Sequence, residues 1–315
     1  MPLPIRRAAA LALAALALSA TATAASAGAK EYSLHAEGAV PGDLAAGPDG
    51  AVWATDGSLG RLWRIGAKCS VSSIELGGGP AGVATGPDGA LWVTDRSDAR
   101  IQRVTPDGDV TTYQLPDAHA FPTDIVTGPD GALWFTESRG DRIGRITITG
   151  ELTEFPLPTA GAFAADITVG PDGALWFTEQ TADKVGRITT AGEITEHVLP
   201  DGALPGPIVA AGGAIWFGQR NAGVLTRMSP TGAITGAFPL PYEHADPLGL
   251  VAAPDGGLWI ADHGASALAR ATLDGALTRE VRVRSAPDAL TIGPDGDLWY
   301  VSGDEGRIGR IDLRG

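Results

Sequence analysis

"GPDGALWFTE" at residues 128–137 returns unchanged at 170–179, and looser copies begin at Gly47, Gly86, Ala253 and Gly293. A catalytic centre needs its base or nucleophile once, so a stretch written this often describes architecture. Seven tryptophans mark the repeat: Trp53, Trp92, Trp134, Trp176, Trp216, Trp259 and Trp299, spaced by 39, 42, 42, 40, 43 and 40 residues. A period near 40, with no helix-length periodic segment inside it, belongs to radial four-stranded units. Trp63 stands outside the series.

Within residues 122–158 the strand signals are local. Asp124–Thr127 is a short apolar strand. Gly128-Pro129-Asp130-Gly131 is a tight turn in which the proline presets φ and the last glycine accepts a positive one. Ala132–Glu137 is a second strand, Ile143–Thr147 a third and Leu152–Leu157 a fourth. The second strand has no polar face: Leu-Trp-Phe fills the space of a strand covered on both sides. Seven such units predict an all-β fold, a seven-bladed β-propeller of four-stranded antiparallel blades spanning residues 28–315. The seventh unit reaches Gly315 without a fourth strand, while Glu31-Tyr32-Ser33-Leu34 reads like one. The N-terminal strand is expected to complete the last blade and close the ring, leaving no sheet edge open.

Arg6 and Arg7 precede an apolar run from Ala8 to Ala20, and Ala25-Ser26-Ala27 is a small-residue cleavage site. Residues 1–27 read as a secretory signal peptide, so the mature protein is expected to be secreted, with no membrane insertion. The net charge of −14 disfavours nucleic acid and anionic lipid as partners. Cys69 is the only cysteine, which excludes an intrachain disulfide.

Strand order places the tight Gly-Pro-Asp-Gly turns on one face and the longer, more varied loops on the other, where binding residues concentrate. Two acidic series point to that loop face. Asp56, Asp95, Glu137, Glu179 and Asp262 end second strands, and Asp43, Asp124, Asp166 and Asp288 begin first strands. Nine carboxylates round a channel mouth would raise one another's pKa or recruit a cation, magnesium or calcium. Alternatively, each caps a loop or pairs with arginines such as Arg96, Arg139 and Arg142. His119, His244 and His263 fall in the same loops and are candidate bases. The third-strand arginines Arg64, Arg103, Arg145, Arg187 and Arg310 recur with the fold and are expected to pair between blades. There is no phosphate loop, no Gly-x-Ser-x-Gly and no His-Glu-x-x-His.

The units "GALWFTESRGDRIGRITITGELTEFPLP" (131–158) and "GALWFTEQTADKVGRITTAGEITEHVLP" (173–200) resemble the repeats of the virginiamycin B lyase family. The resemblance covers essentially the whole chain beyond the leader. It implies the seven-bladed fold and, for characterised members, magnesium-assisted opening of the ester of cyclic streptogramin B antibiotics by elimination, with a histidine as base. The family's functional residues do not carry over. Leu248 stands where a histidine is expected, Ala286 where a metal-binding glutamate is, and Asp288 where the base is. Gly303 replaces a second glutamate and Gly42 a tyrosine. The resulting expectation is a secreted, monomeric binding or interaction module that takes a cation, a small molecule or a cell-envelope or protein partner on its acidic loop face. The alternative is a metal-assisted C–O lyase, or a lactone- or ester-opening enzyme, with a rearranged site drawing on His244, His263 or Asp288.

Overall fold

Residues 122–156 form one blade of four antiparallel strands, Pro122–Thr127, Leu133–Glu137, Arg142–Ile146 and Leu152–Pro156, each end within two residues of its expected position. Seven such sheets follow one another round a ring. The computed structural model describes residues 29–34, 36–66 and 70–314. The leader at 1–27, with Gly28, His35 and Cys69, lies outside the described residues.

Lys30–Ser33 pairs antiparallel with Arg307–Ile311 and becomes the outer strand of the seventh blade. Ring closure is therefore non-covalent, and a side-chain latch backs it. Glu31 accepts hydrogen bonds from the Tyr300 hydroxyl at 3.0 Å and from the Arg284 backbone N–H at 3.1 Å.

The recurrent tryptophans are at most 2% exposed. In five blades the indole Nε1 donates to the aspartate of the preceding turn: Trp53 to Asp49, Trp92 to Asp88, Trp134 to Asp130, Trp176 to Asp172 and Trp299 to Asp295, at 3.0–3.2 Å. The other carboxylate oxygen binds the third-strand arginine of the same blade, as in Arg145–Asp130 at 2.7 Å. That guanidinium also lies 5.8 Å from the Trp134 ring centroid. The expected pairing of these arginines between blades is corrected accordingly: they lock tryptophan and turn within one blade. The first glycine of the turn serves contact rather than φ, since a Cβ at Gly128 would sit 2.4 Å from the Trp134 ring; in the sixth blade, where Ala253 takes its place, the Trp259 indole N–H has no partner.

Two polar contacts stitch one blade to the next. The threonine of the second strand donates to a carbonyl of the following blade: Thr55 to Ala81, Thr94 to Thr123, Thr136 to Ala165 and Thr178 to Gly206, at 2.5–3.0 Å. A first-strand aspartate accepts a backbone N–H of the next first strand: Asp43 from Val83, Asp124 from Ile167 and Asp166 from Ile208, at 2.8–2.9 Å. Blades five, six and seven carry Gly218, Ala261 and Val301 at the threonine position, opposite Leu225, Leu268 and Ile308. There the hydroxyl stitch is lost; an Arg220–Asp246 ion pair stands at the joint from blade five to six and a His263–Asp288 hydrogen bond at the joint from six to seven.

Candidate functional site

The first strands line the central channel, and a bulge decides what they present to it. In blades one to five the pairing register shifts between the first residue and the fourth, as between Pro122 and Ile125. A bulge re-aims the unpaired residues, here Gly42-Asp43, Ala81-Gly82, Thr123-Asp124, Ala165-Asp166 and Gly206-Pro207. They open onto a funnel of about 810 Å³ on the loop face. Its lining is divided. Asp43, Asp124 and Asp166 stand on blades one, three and four, whereas Pro207, Ile208, Leu248 and Leu250 make an apolar wall on blades five and six.

The funnel aspartates are held by their stitching bonds and crowded by the walls. Burial first, then the charge of Asp124, pushes Asp43 up to about 7. Asp124 is raised well above the carboxylate range by burial and by Asp166, and Asp166 is raised by burial. Between them this arc carries less negative charge at neutral pH than its composition suggests. Arg96 lies on the same wall, its guanidinium 5.6 Å from the Phe121 ring centroid, and Arg139 stacks on that ring at 4.2 Å. Phe121 holds a left-handed φ of 56°, which is costly for an aromatic residue outside glycine's range.

The ring of nine carboxylates does not form. Asp56, Asp95, Glu137, Glu179 and Asp262 are fully buried behind the funnel wall. Asp56 accepts the backbone N–H groups of Ser58 and Leu59 at 3.1 Å and the Trp63 indole at 3.0 Å, which accounts for the eighth tryptophan. Asp95 binds Gly79 N at 2.8 Å and Arg100 at 2.8 Å, and Asp262 binds Asp246 N and Ala265 N at 3.0 Å. These three are loop caps. Glu137 and Glu179 have no partner on either oxygen. Burial first, then Glu154, pushes Glu137 up to about 8; burial, then Glu196, pushes Glu179 up to about 7. Among the described residues no three His, Cys, Asp or Glu side chains are arranged to hold a metal ion.

The candidate histidines separate clearly. His119 and His244 are almost wholly exposed, each with only a carboxylate at 3.8 Å. His263 is one-third exposed, and its Nδ1 lies 2.8 Å from Asp288 Oδ1. Asp288 belongs one position earlier on its strand than Asp43, Asp124 and Asp166. Leu290 pairs with Tyr300 as Leu44 pairs with Ala54 and Ile125 with Phe135. Asp288 therefore aligns with Gly42, Thr123 and Leu248, and it also lines the funnel. Arg220, which no motif marks, forms a two-point ion pair with Asp246 at 2.8 and 3.0 Å and lines the funnel as well. Of the arginines expected to neutralise the loop acids, Arg96 feels the charges of Asp43 and Asp124, while Arg142 meets Asp117, an acid outside the nine, at 3.3 Å.

Four of the five positions at which the family resemblance replaces residues, Gly42, Leu248, Asp288 and Gly303, line this funnel; Ala286 does not. A magnesium ion does not fit the residues present. A Cβ at Gly303 would approach Asp288 Oδ2 to 3.0 Å and Val40 to 3.3 Å, so the space a second glutamate would need is taken. Asp288 Oδ2 is committed to the Gly303 N–H at 2.8 Å.

Residues 27–283, and in a second match 208–315, fit the model of the virginiamycin B lyase family. Among solved structures, a streptogramin B lyase is 29% identical over 90% of this chain and 97% of its own, with a TM-score of 0.85. Virginiamycin B lyase from Staphylococcus aureus is 30% identical over 91% and 99%, also at 0.85. A catalytically inactive histidine-to-alanine form of the S. aureus enzyme with quinupristin is 31% identical over the same shares, again at 0.85. No curated protein sequence matches the chain.

Proposed function

The chain belongs to the virginiamycin B lyase family, and from that premise we propose that it is an exported small-molecule-binding propeller from which the antibiotic-opening residue set has been lost. The observation that carries this reading is the funnel itself. About 810 Å³ of space, divided between an apolar wall and a wall of fixed polar groups, has the size and character of a pocket for an organic ligand. The apolar wall would bury a ligand's body. Asp43, Asp124 and Asp166 would accept hydrogen bonds from its donors, and Arg96 would meet an acceptor.

The replaced side chains support loss of the lyase reaction in its family form. Leu248 and Gly303 have no titratable or metal-binding atom, nor does Ala286. The carboxylate of Asp288 is already engaged on both oxygens. Export rests on the leader-like residues 1–27, and the acidic composition supports a partner other than nucleic acid.

A thermal-shift screen of small amphipathic compounds, led by quinupristin, tests the reading, with mass spectrometry of the quinupristin samples in added magnesium. Stabilising ligands are expected, their effect lost in Leu248→Arg, which places a cation in the apolar wall. No elimination product should form. A linear product of unchanged mass overturns the loss of the lyase reaction, whereas one heavier by a water does not. A screen without any ligand sensitive to Leu248→Arg overturns the binding role.

A further inference from the structure

We propose that His263, oriented by Asp288, is a general base that activates water against a carboxylic ester or lactone held in the funnel. The proposal rests on the funnel being a ligand chamber and adds chemistry to it.

The geometry is that of a fixed base. His263 directly follows the second strand of the sixth blade, Leu258–Asp262, and its loop is held on several sides. Its own N–H donates to the Asp246 carbonyl at 3.0 Å, and its carbonyl accepts from Ser266 N at 3.1 Å. Asp262 caps Ala265 N at 3.0 Å. Gly264 lies so close to the His244 carbonyl that no side chain fits there. The acceptor is equally fixed. Asp288 donates its N–H to Val301 O at 2.9 Å and receives the Gly303 N–H on Oδ2 at 2.8 Å. That leaves Oδ1 for the imidazole, at 2.8 Å.

An ionised carboxylate only accepts hydrogen bonds, so the proton of the neutral ring resides on Nδ1. The lone pair is then on Nε2, which has no partner among the described residues, and one-third of the side chain remains exposed. A base needs all three conditions: a set tautomer, a free basic nitrogen and access. No other described histidine meets them. His119 and His244 lack a close carboxylate, and the ring of His197 is stacked on Trp176.

The step balances without a metal or an external oxidant. Nε2 takes a proton from water as the water oxygen bonds to the acyl carbon. The bond from that carbon to the alkoxy oxygen then breaks, and the imidazolium returns the proton to the leaving alkoxide. One water is added across the ester. Arg220, clamped by Asp246 and lining the funnel that His263's partner Asp288 also lines, supplies positive charge for the developing oxyanion. Esters and lactones are the fitting acyl class, because an alkoxide leaves without the stronger protonation an amide nitrogen requires.

The test uses the full chain with dihydrocoumarin, a lactone, and p-nitrophenyl acetate, following product by absorbance and binding by thermal shift. His263→Gln keeps a donor for Asp288 and removes the basic nitrogen. It should lower kcat roughly 100-fold, within the range of general-base catalysis, with KM nearly unchanged. Asp288→Asn should lower kcat through loss of the tautomer. Added imidazole should restore turnover to His263→Ala, a rescue that a merely structural tie between blades would not give. Wild-type turnover of neither probe, or turnover that survives His263→Gln, overturns the proposal. Stabilisation by dihydrocoumarin without turnover removes the base and leaves the chamber standing. Turnover that persists in Leu248→Arg separates the chemistry from the chamber and overturns the proposal as stated.

Discussion

Replacing Glu137 with glutamine should stabilise the protein by an amount that grows with pH. The carboxyl is fully buried at the end of a second strand, with neither oxygen hydrogen-bonded. Burial, then Glu154, moves its ionisation from the usual 4.5 to about 8. In the unfolded chain the group ionises at its ordinary value. The folded state holds the proton more tightly, so the stability associated with the neutral acid is complete below pH 4.5 and is lost as pH climbs through about 8. At about 1.4 kcal/mol per pH unit, the loss by pH 7 is roughly 3 kcal/mol. Glutamine does not titrate, and the fixed cost of burying its amide cancels when one variant is compared with wild type at two pH values. Urea denaturation followed by tryptophan fluorescence should therefore show the variant-minus-wild-type difference rising by about 3 kcal/mol from pH 4.5 to pH 7. In melting temperature that is roughly 6 °C or more. A difference independent of pH would refute a neutral, buried Glu137. Glu179→Gln should behave with the same sign, levelling off about one pH unit lower because its carboxyl is pushed only to about 7.

Asp130→Ala should cost about 2–3 kcal/mol, since it strands a buried indole N–H and an arginine together. Asp255→Ala, in the blade whose Trp259 Nε1 has no partner, should cost under about 1 kcal/mol by the same unfolding assay. Glu31→Ala should lower stability by about 1–3 kcal/mol by leaving the Tyr300 hydroxyl unpaired, and deletion of Lys30–Leu34 should produce aggregates on size exclusion, because Arg307–Ile311 becomes an open edge. Thr136→Val, nearly the same shape, should cost about 1 kcal/mol and speed amide exchange in the fourth blade at Asp166, which donates to Thr178, less than in the third at Asp124, which donates to Thr136.

The blade count was legible because one indole fills one inter-sheet gap, so Trp spacing counts sheets. The tight turns were legible because proline and glycine set φ locally. The site was less so. Whether Asp124 faces the channel depends on a bulge that no residue type announces, since blade four starts it with Ala164 where others use proline. The second-strand acids share one offset from tryptophan, yet Asp95 reaches the backbone N–H groups around it while Glu137 does not. One additional methylene carries the carboxyl past those donors, a matter of reach that a sequence pattern does not encode. His263 and Asp288 lie 25 residues apart on different blades, and only the packing of the sixth blade against the seventh makes them neighbours.

The uneven stitching between blades has a mechanical consequence. From the first blade through the fifth, threonine hydroxyls tie every joint, so this arc should move as a stiff unit. The joints on either side of the sixth blade depend instead on Arg220–Asp246 and His263–Asp288, both partly open to water, where screening weakens such pairs. Strain imposed on the hoop will concentrate at these two joints and at the one from blade seven to blade one, where Val301 likewise replaces the threonine. Dilation of the chamber is then one-sided, with Leu248 and Asp288 swinging outward while the aspartate arc keeps its shape. A guest of awkward girth would be accommodated by the compliant side and read by the rigid one.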